Sequence, residues 1–581
     1  MLLTKRKSFN PSRVVKLHRR PHRHQSLDNH PDHISPTRAT DQPMDLTKLD
    51  LTSFNGSDFK TSGLCSNLTQ SHVSYGKILN HKKKQKKRKK SCSYCCPCTP
   101  LCVILSMIAT LLLAIVITTI LIGVLIKTKL STSTSSEKST TTTTTPITCN
   151  SSCLNQTWIS SSGLLAKWTF NGTYLDDMNS YTAIPVNSPT FITNGYVNQA
   201  LSLTTANNQY LYTSYIPLIH ASFTIELWLY PTAFPNPIHH SILGLCTYPG
   251  NDQCLHLTIQ KIGVINTLYM SFFGDNCMTY NSVPLNEWTH AAFVFDNSTR
   301  SMLIYQNGYL IGNATSVLSL QGTMNNVTIG YIPGIVAAYG NNSFEGYIDQ
   351  LTIFNRAKPA CEILDDASLT TYYNFDSSPI FDDSGSNSLP STSQLTSFVL
   401  SGHSSKAITF NNPNTYLQID DLTELGTTNK SFSISLWIRP YSLAGTLVFV
   451  SSTAAGIGWC MSFIGFASNG SIVAQMIAST VQSVYGPAVS TSSIWHHIVE
   501  TWSSTNGLRL YVDNVLVASS ISATTYLASS MSNYVMLANR PNNTCDYGAI
   551  GLQGAFIGDI DDFKIYSREL TIDDVCALYK S

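Results

Sequence analysis

The chain has 581 residues, 36 Lys and Arg against 34 Asp and Glu, and 43% hydrophobic residues, for a formal net charge of +2. That length excludes a single domain of ordinary size. The balance conceals a split: residues 1–90 hold 20 Lys or Arg and 6 Asp or Glu (+14), leaving 16 and 28 (−12) for the rest, and all eight Trp lie beyond residue 126.

Residues 1–90 are rich in Lys, Arg, His, Ser, Asn and Pro and poor in aromatics. They cannot bury enough apolar surface to offset chain entropy, so a disordered tail is expected. Its "LHRRPHRHQSLDNHPDH" reads as scattered solvated histidines rather than a metal tract. The tail ends in "KKKQKKRKK" (Lys82 to Lys90), which by itself suits a nucleic-acid arm or a membrane surface equally. The following "LCVILSMIATLLLAIVITTILIGVLI" (residues 101–126) has no charged side chain and, at about 1.5 Å per residue, exceeds a hydrocarbon core of about 30 Å. It predicts a transmembrane helix and sets the nucleic-acid reading aside. Eight cationic residues before the span and Lys127, Lys129 and Lys138 after it predict a cytoplasmic N-terminus. The expectation is a single-pass type II protein of the plasma membrane, its lysines lying against an anionic inner leaflet and its C-terminal part outside the cell. The juxtamembrane segment 91–100 and the first turn of the span then place Cys92, Cys95, Cys96, Cys98 and Cys102 at the cytosolic surface, where S-palmitoylation is expected. Zinc and unmodified thiols are the alternatives; a zinc site lacks a second, separated ligand pair.

Residues 127–157, with "STSTSSEKSTTTTTTP", read as an extended O-glycosylated stalk. N-x-S/T triplets open at Asn150, Asn155, Asn171, Asn297, Asn313, Asn326, Asn341, Asn429, Asn469 and Asn542, which suits a secretory-pathway ectodomain. Nine cysteines on this side would meet an oxidising compartment.

The remainder repeats itself. "SFTIELWLYP" (Ser222 to Pro231) recurs as "SFSISLWIRP" (Ser431 to Pro440), the segment from Asn286 recurs from Ser493, and "GYIDQLTIFNRA" (Gly346 to Ala357) recurs as "GDIDDFKIYSRE" (Gly558 to Glu569), in one order and at nearly one spacing. The boundary is placed at 366, giving domains 158–366 and 367–581. Within these segments the period is two: Phe223, Ile225, Leu227 and Leu229 share one face and Thr224, Glu226, Trp228 and Tyr230 the other, while Phe432, Ile434, Leu436 and Ile438 repeat the first set. Asn307-Gly308 and Asp513-Asn514 mark tight hairpins. The fold class expected is all-β, two antiparallel sandwiches in tandem behind the membrane helix and disordered tail.

The ordered motif set comprises "WTFNGTYLDD" and "YNFDSSPIFDD", F-x-I-x-L-W-x-x-P, W-x-H, the hairpin, and G-x-I-D-x-x-x-I-Y/F-x-R. With it, each copy resembles the laminin G-like jelly-roll domain of the concanavalin A-like lectin superfamily, which includes the pentraxins. The resemblance implies a calcium ion between the early acidic loop and the closing strand, with Asp176, Asp177 and Asp349 as candidates in copy one and Asp382, Asp383 and Asp561 in copy two. The alternative is that these carboxylates cap turns. Trp228 and Trp437, opposite their strands' aliphatic faces, are candidate platforms for sugar rings. Glu226 has no acidic strand neighbour and is matched by Ser435, and no nucleophile constellation repeats, so an enzyme is not expected.

The function expected is a cell-surface recognition or adhesion protein binding extracellular glycans or glycoproteins. A structural coat glycoprotein is the alternative, and a surface polysaccharide hydrolase is less favoured. Cys254 and Cys460 occupy equivalent places, and a Cys460 to Cys545 bridge is expected in copy two. In copy one at least one bridge should close among Cys246, Cys254 and Cys277.

Overall fold

The computed structural model describes residues 149, 151–156 and 161–581, apart from 323, 378, 492, 541–544, 546–547 and 551–553. The basic tail, the cysteine cluster from Cys92 to Cys102, the span 101–126, most of the stalk and the sequons at Asn150 and Asn542 lie outside the described residues. No helix among the described residues is long and apolar enough to cross a membrane.

Residues 161–368 form a sandwich of an eight-stranded and a seven-stranded antiparallel sheet, and residues 369–581 repeat it with the same counts and strand order. The eight-stranded sheet of domain one runs from the edge strand Tyr309–Thr315 through Ser301–Gln306, Thr289–Asp296 and Phe223–Pro231 to Gly346–Phe354, where Leu164–Trp168 also pairs. It continues through Ala200–Leu203 to Thr190–Ile192. Each domain closes with one nine-residue helix, Ala360–Ser368 or Ile572–Lys580, laid on the outer face of this sheet.

The period-two pattern explains the two layers. Phe223, Ile225, Leu227 and Leu229 point inward to a core shared with Phe293, Phe295 and Ile353, and Phe432, Ile434, Leu436 and Ile438 do the same in domain two. Each such side chain contributes about 1.5–3 kcal/mol by leaving water, so a one-residue slip would forfeit the whole face. The turns are as expected, with positive φ at Asn307, Gly308, Asp513 and Asn514. The side chains of Asn307 and Asp513 each accept the backbone N–H of the second residue of the adjacent strand, His290 of Thr289–Asp296 and His497 of His496–Ser503, at 2.9 Å.

The N-terminal segment departs from expectation. It is not all stalk: Cys149 is bonded to Cys576 on the C-terminal helix and Cys153 to Cys361 on the helix closing domain one. Ser152 Oγ also donates to Asp574 Oδ1 at 2.6 Å. A short run ahead of domain one therefore joins both domains, a pairing that strand periodicity cannot register because it ties a segment outside the strands to the two closing helices. Cys246 is joined to Cys254, and Cys460 to Cys545.

Candidate functional site

Tyr230, at the end of strand Phe223–Pro231, lies directly opposite Tyr347 of Gly346–Phe354. Their rings stack with centroids 5.3 Å apart, and Trp288 meets Tyr230 edge-on at 5.3 Å. Gly346 makes this approach possible: its φ is +139°, and a Cβ there would sit 2.2 Å from the Tyr230 carbonyl oxygen. The three half-buried rings form one wall of a cleft of about 600 Å³. Domain two supplies the opposite wall from Thr423 to Lys430 and from Ser530 to Ser532.

Asn194, Asn286 and Glu287 are exposed along the domain-one rim. Across the cleft, Lys430 Nζ pairs with the buried Glu424 carboxylate at 3.2 Å. Thr423 Oγ1 donates to the Tyr196 carbonyl at 2.9 Å and pins the two walls together. Burial holds the Tyr230 phenol above its ordinary value, so it stays a donor at neutral pH. Aromatic faces with a few polar groups on the rim can stack a flat apolar ligand face and orient its hydroxyls.

Domain two has no such wall. Arg439 and Asp559 replace Tyr230 and Tyr347 and pair at 2.7 Å, with Tyr441 donating to the same carboxylate and the Arg439 guanidinium lying 4.7 Å from the Trp495 ring centre. The cleft rings were missed in the sequence because Tyr230 and Tyr347 come from separate strands. The signal was present in the replacement of a Tyr pair by an Arg–Asp pair at repeat-equivalent positions.

The predicted ligand tryptophans are not open platforms. Trp228 is only 3% exposed, with Tyr196 stacked on it at 3.6 Å and His290 edge-on at 5.2 Å. Trp437 is 6% exposed, stacked by His403 at 3.5 Å and by Tyr579 at 5.5 Å. A loop covers the outer face of each sheet at this point, and in domain two the closing helix does so as well, which strand alternation does not report.

The six aspartates are not gathered into a cation site. Asp176 accepts backbone N–H groups from Lys167, Ser180 and Tyr181, and Asp383 from Tyr372, Gly385 and Leu389. These two are equivalent, each taking the N–H of the repeat-matched residue, Lys167 or Tyr372. Asp349 accepts from Val197 and Gln350, and Asp561 from His403, Ser404 and Asp562. Asp177 takes the Thr169 hydroxyl at 3.3 Å and Asp382 is exposed. Burial pushes Asp561 up to about 7 and Asp349 well above its ordinary value. Among the described residues no group of three or more His, Cys, Asp or Glu could hold a metal ion. Carboxylates spent on backbone N–H groups do not fit calcium, which wants several free oxygens.

Of the eight sequons among the described residues, Asn155, Asn171, Asn313, Asn326, Asn341, Asn429 and Asn469 are exposed and Asn297 is half-buried, its amide donating to the His220 carbonyl.

No curated protein sequence is significantly similar to the chain. Solved structures that resemble it include domain 4 of an extracellular GH43 arabinanase from Geobacillus stearothermophilus, in complex with arabinotriose (16% identity, TM-score 0.30, 35% of this chain and 98% of that one). Others are a heptameric pentraxin from Limulus polyphemus (16%, 0.23, 29% and 80%) and domains LG4-5 of mouse laminin α1 (11%, 0.22, 62% and 88%). A laminin G family model, described as the concanavalin A-like lectin/glucanases superfamily, matches residues 205–364 and 410–576, one span in each sandwich and together more than half of the chain. The chain therefore belongs to the concanavalin A-like lectin/glucanases superfamily, with two laminin G-type domains in tandem.

Proposed function

We propose that this is a cell-surface recognition protein whose inter-domain cleft binds an extracellular glycan, free or on a glycoprotein. The observation that carries the reading is the wall formed by Tyr230, Trp288 and Tyr347, half-exposed and facing polar groups of domain two. Sugar rings present C–H faces to aromatic rings and hydroxyls to rim amides and carboxylates, and the cleft supplies both. Superfamily membership supports a ligand-binding role. The uninterrupted apolar run 101–126 and the lysines before it support an anchor in the plasma membrane with the sandwiches outside.

One experiment tests both parts. Intact cells displaying the full chain, and the purified chain in detergent, are applied to the same glycan panel. Both should capture the same labelled glycan, and Trp288→Ala should weaken capture about tenfold, a loss of about 1.4 kcal/mol. Capture by the purified chain but not by intact cells would refute the surface orientation, and capture by neither, or unchanged by Trp288→Ala, would refute the glycan cleft.

A further inference from the structure

A second cavity lies on the outer face of the domain-one sheet, further along the strand that carries Tyr230 and behind the Tyr196–Trp228 stack. It encloses about 250 Å³, the room of about eight water molecules. Its floor is Glu226, Trp228, His290 and Gln350, and its lid is the turn Gly385–Ser388 of domain two. Lys167 Nζ donates to the Ser386 carbonyl at 3.0 Å and holds the lid down. Ser161, Ser386 and Ser388 are exposed, so the mouth is open to solvent.

Three polar groups in this floor are at least nine-tenths buried and lack a hydrogen-bond partner among the described residues: Glu226 Oε1, His290 Nδ1 and Gln350 Nε2. Each such atom costs about 1–3 kcal/mol if nothing meets it. One accepts, one donates, and the imidazole nitrogen can do either. Two amines, Lys167 and Lys358, and two carboxyls, Glu226 and Asp366, also line the cavity.

Domain two shows what a closed version of this place looks like. The register that pairs Lys167 with Thr352 pairs Tyr372 with Lys564, whose ammonium lies 4.3 Å from the Tyr372 ring centre. Ala367 corresponds to Tyr579, which stacks on Trp437. Glu226 corresponds to Ser435, whose hydroxyl is 2.9 Å from His497 Nε2. Domain two thus fills the space with two tyrosine rings and shares the unmet imidazole nitrogen, His497 Nδ1, whereas domain one leaves the space open and adds Glu226 Oε1 and Gln350 Nε2.

We propose that this cavity is a binding site for one neutral polyhydroxylated molecule of about the size of a single sugar ring. A polyol offers both donors and acceptors to the three unmet atoms and brings no charge of its own. The site is separate from the cleft and shares no lining residue with it.

The test is ligand-observed NMR on the intact chain with D-glucose and myo-inositol as probes, at concentrations up to about 10 mM, which detect sites in the millimolar range. Both native probes should bind in preference to glucosamine and glucuronate. Ala367→Tyr, which installs the domain-two residue, and Gln350→Met, which keeps the shape but removes the donor, should each weaken binding about tenfold. Trp288→Ala, in the cleft, should leave it unchanged. No binding by the native chain, equal binding by all variants, loss on Trp288→Ala, or preference for a charged probe would each overturn the assignment. Gln350→Met keeps the test decisive if the tyrosine variant folds poorly.

Discussion

The two sandwiches share strand order, turn geometry and the tryptophan at the centre of the outer sheet face, and they differ in how that face is charged. Domain one buries Lys358 among Glu226, Glu362 and Asp366, with its ammonium 2.9 Å from Glu226, 2.8 Å from Asp366 and 3.7 Å from the Phe354 ring centre. Domain two puts Leu570, Ser435 and Leu578 at the equivalent places of Lys358, Glu226 and Asp366, so the same cover is apolar there. Arg356–Glu362 and Arg568–Asp574 are retained in both. A fold can thus seat its closing helix by either chemistry; His290 Nδ1 and its counterpart His497 Nδ1 lack a partner among the described residues in both, and the ionic version adds Glu226 Oε1 and Gln350 Nε2. The inner layers show the reverse. Phe293 of domain one is matched by Glu500, which is buried without a partner among the described residues and whose carboxyl burial pushes well above its ordinary value.

Acid should separate the domains most. Burial lowers His239 and His240 to about 4 and His256 and His290 to about 3 in domain one, whereas domain two has one such residue, His497, at about 3. With folded values below the unfolded value of about 6.5, the unfolded chain binds more protons in between, so stability is present above about pH 6.5 and is lost as pH falls. Carboxyls raised to about 7 or well above their ordinary value act oppositely, but they number two in each domain: Glu226 and Asp349, and Asp561 and Glu500. Three extra histidines make the difference on the order of 5–8 kcal/mol at pH 4.5. Hydrogen exchange should show 161–368 losing protection before 369–581 on acidification, and the opposite order would break the comparison.

Next in size is the buried ion cluster. Lys358→Leu should cost about 3–5 kcal/mol in thermal or denaturant unfolding, because it strands two buried carboxylates. Adding Glu226→Ser and Asp366→Leu, which copies domain two, should recover most of that loss. A triple variant no more stable than the single one would show that the two covers are not interchangeable.

The smallest difference expected is between the internal disulfides. The chain-entropy model gives about 4.6 kcal/mol for the 85-residue Cys460–Cys545 loop and about 2.5 kcal/mol for the 8-residue Cys246–Cys254 loop. Replacing each pair with Ala should therefore cost domain two about 2 kcal/mol more than domain one in denaturant titrations. Equal losses would place the stabilisation in the folded state rather than in the unfolded chain.

The layers were legible in the sequence because a strand writes its burial as alternation: Phe223 to Leu229 and its repeat identified both cores, and Asn307-Gly308 identified a turn. What covers the outward residues was not legible. Trp228 and Trp437 face outward as read, but Tyr196, His403 and Tyr579 come from loops and helix ends whose approach has no period. The aspartates could not be resolved either, since an Asp that caps backbone N–H groups and one that holds a cation look alike as letters. The cleft needed both domains to be placed, and only the substitution of Tyr230 and Tyr347 by Arg439 and Asp559 betrayed it.

The segment from Cys149 to Cys153 gives the molecule an unusual load path. A pull arriving through the chain ahead of Cys149 does not peel the first strand, Leu164–Trp168, from its neighbour, because Cys149 passes it to the last helix and Cys153 to the helix of domain one. The two sandwiches are then tensioned side by side rather than end to end, and a single cut in a loop of either one would leave every fragment still tethered to the same point.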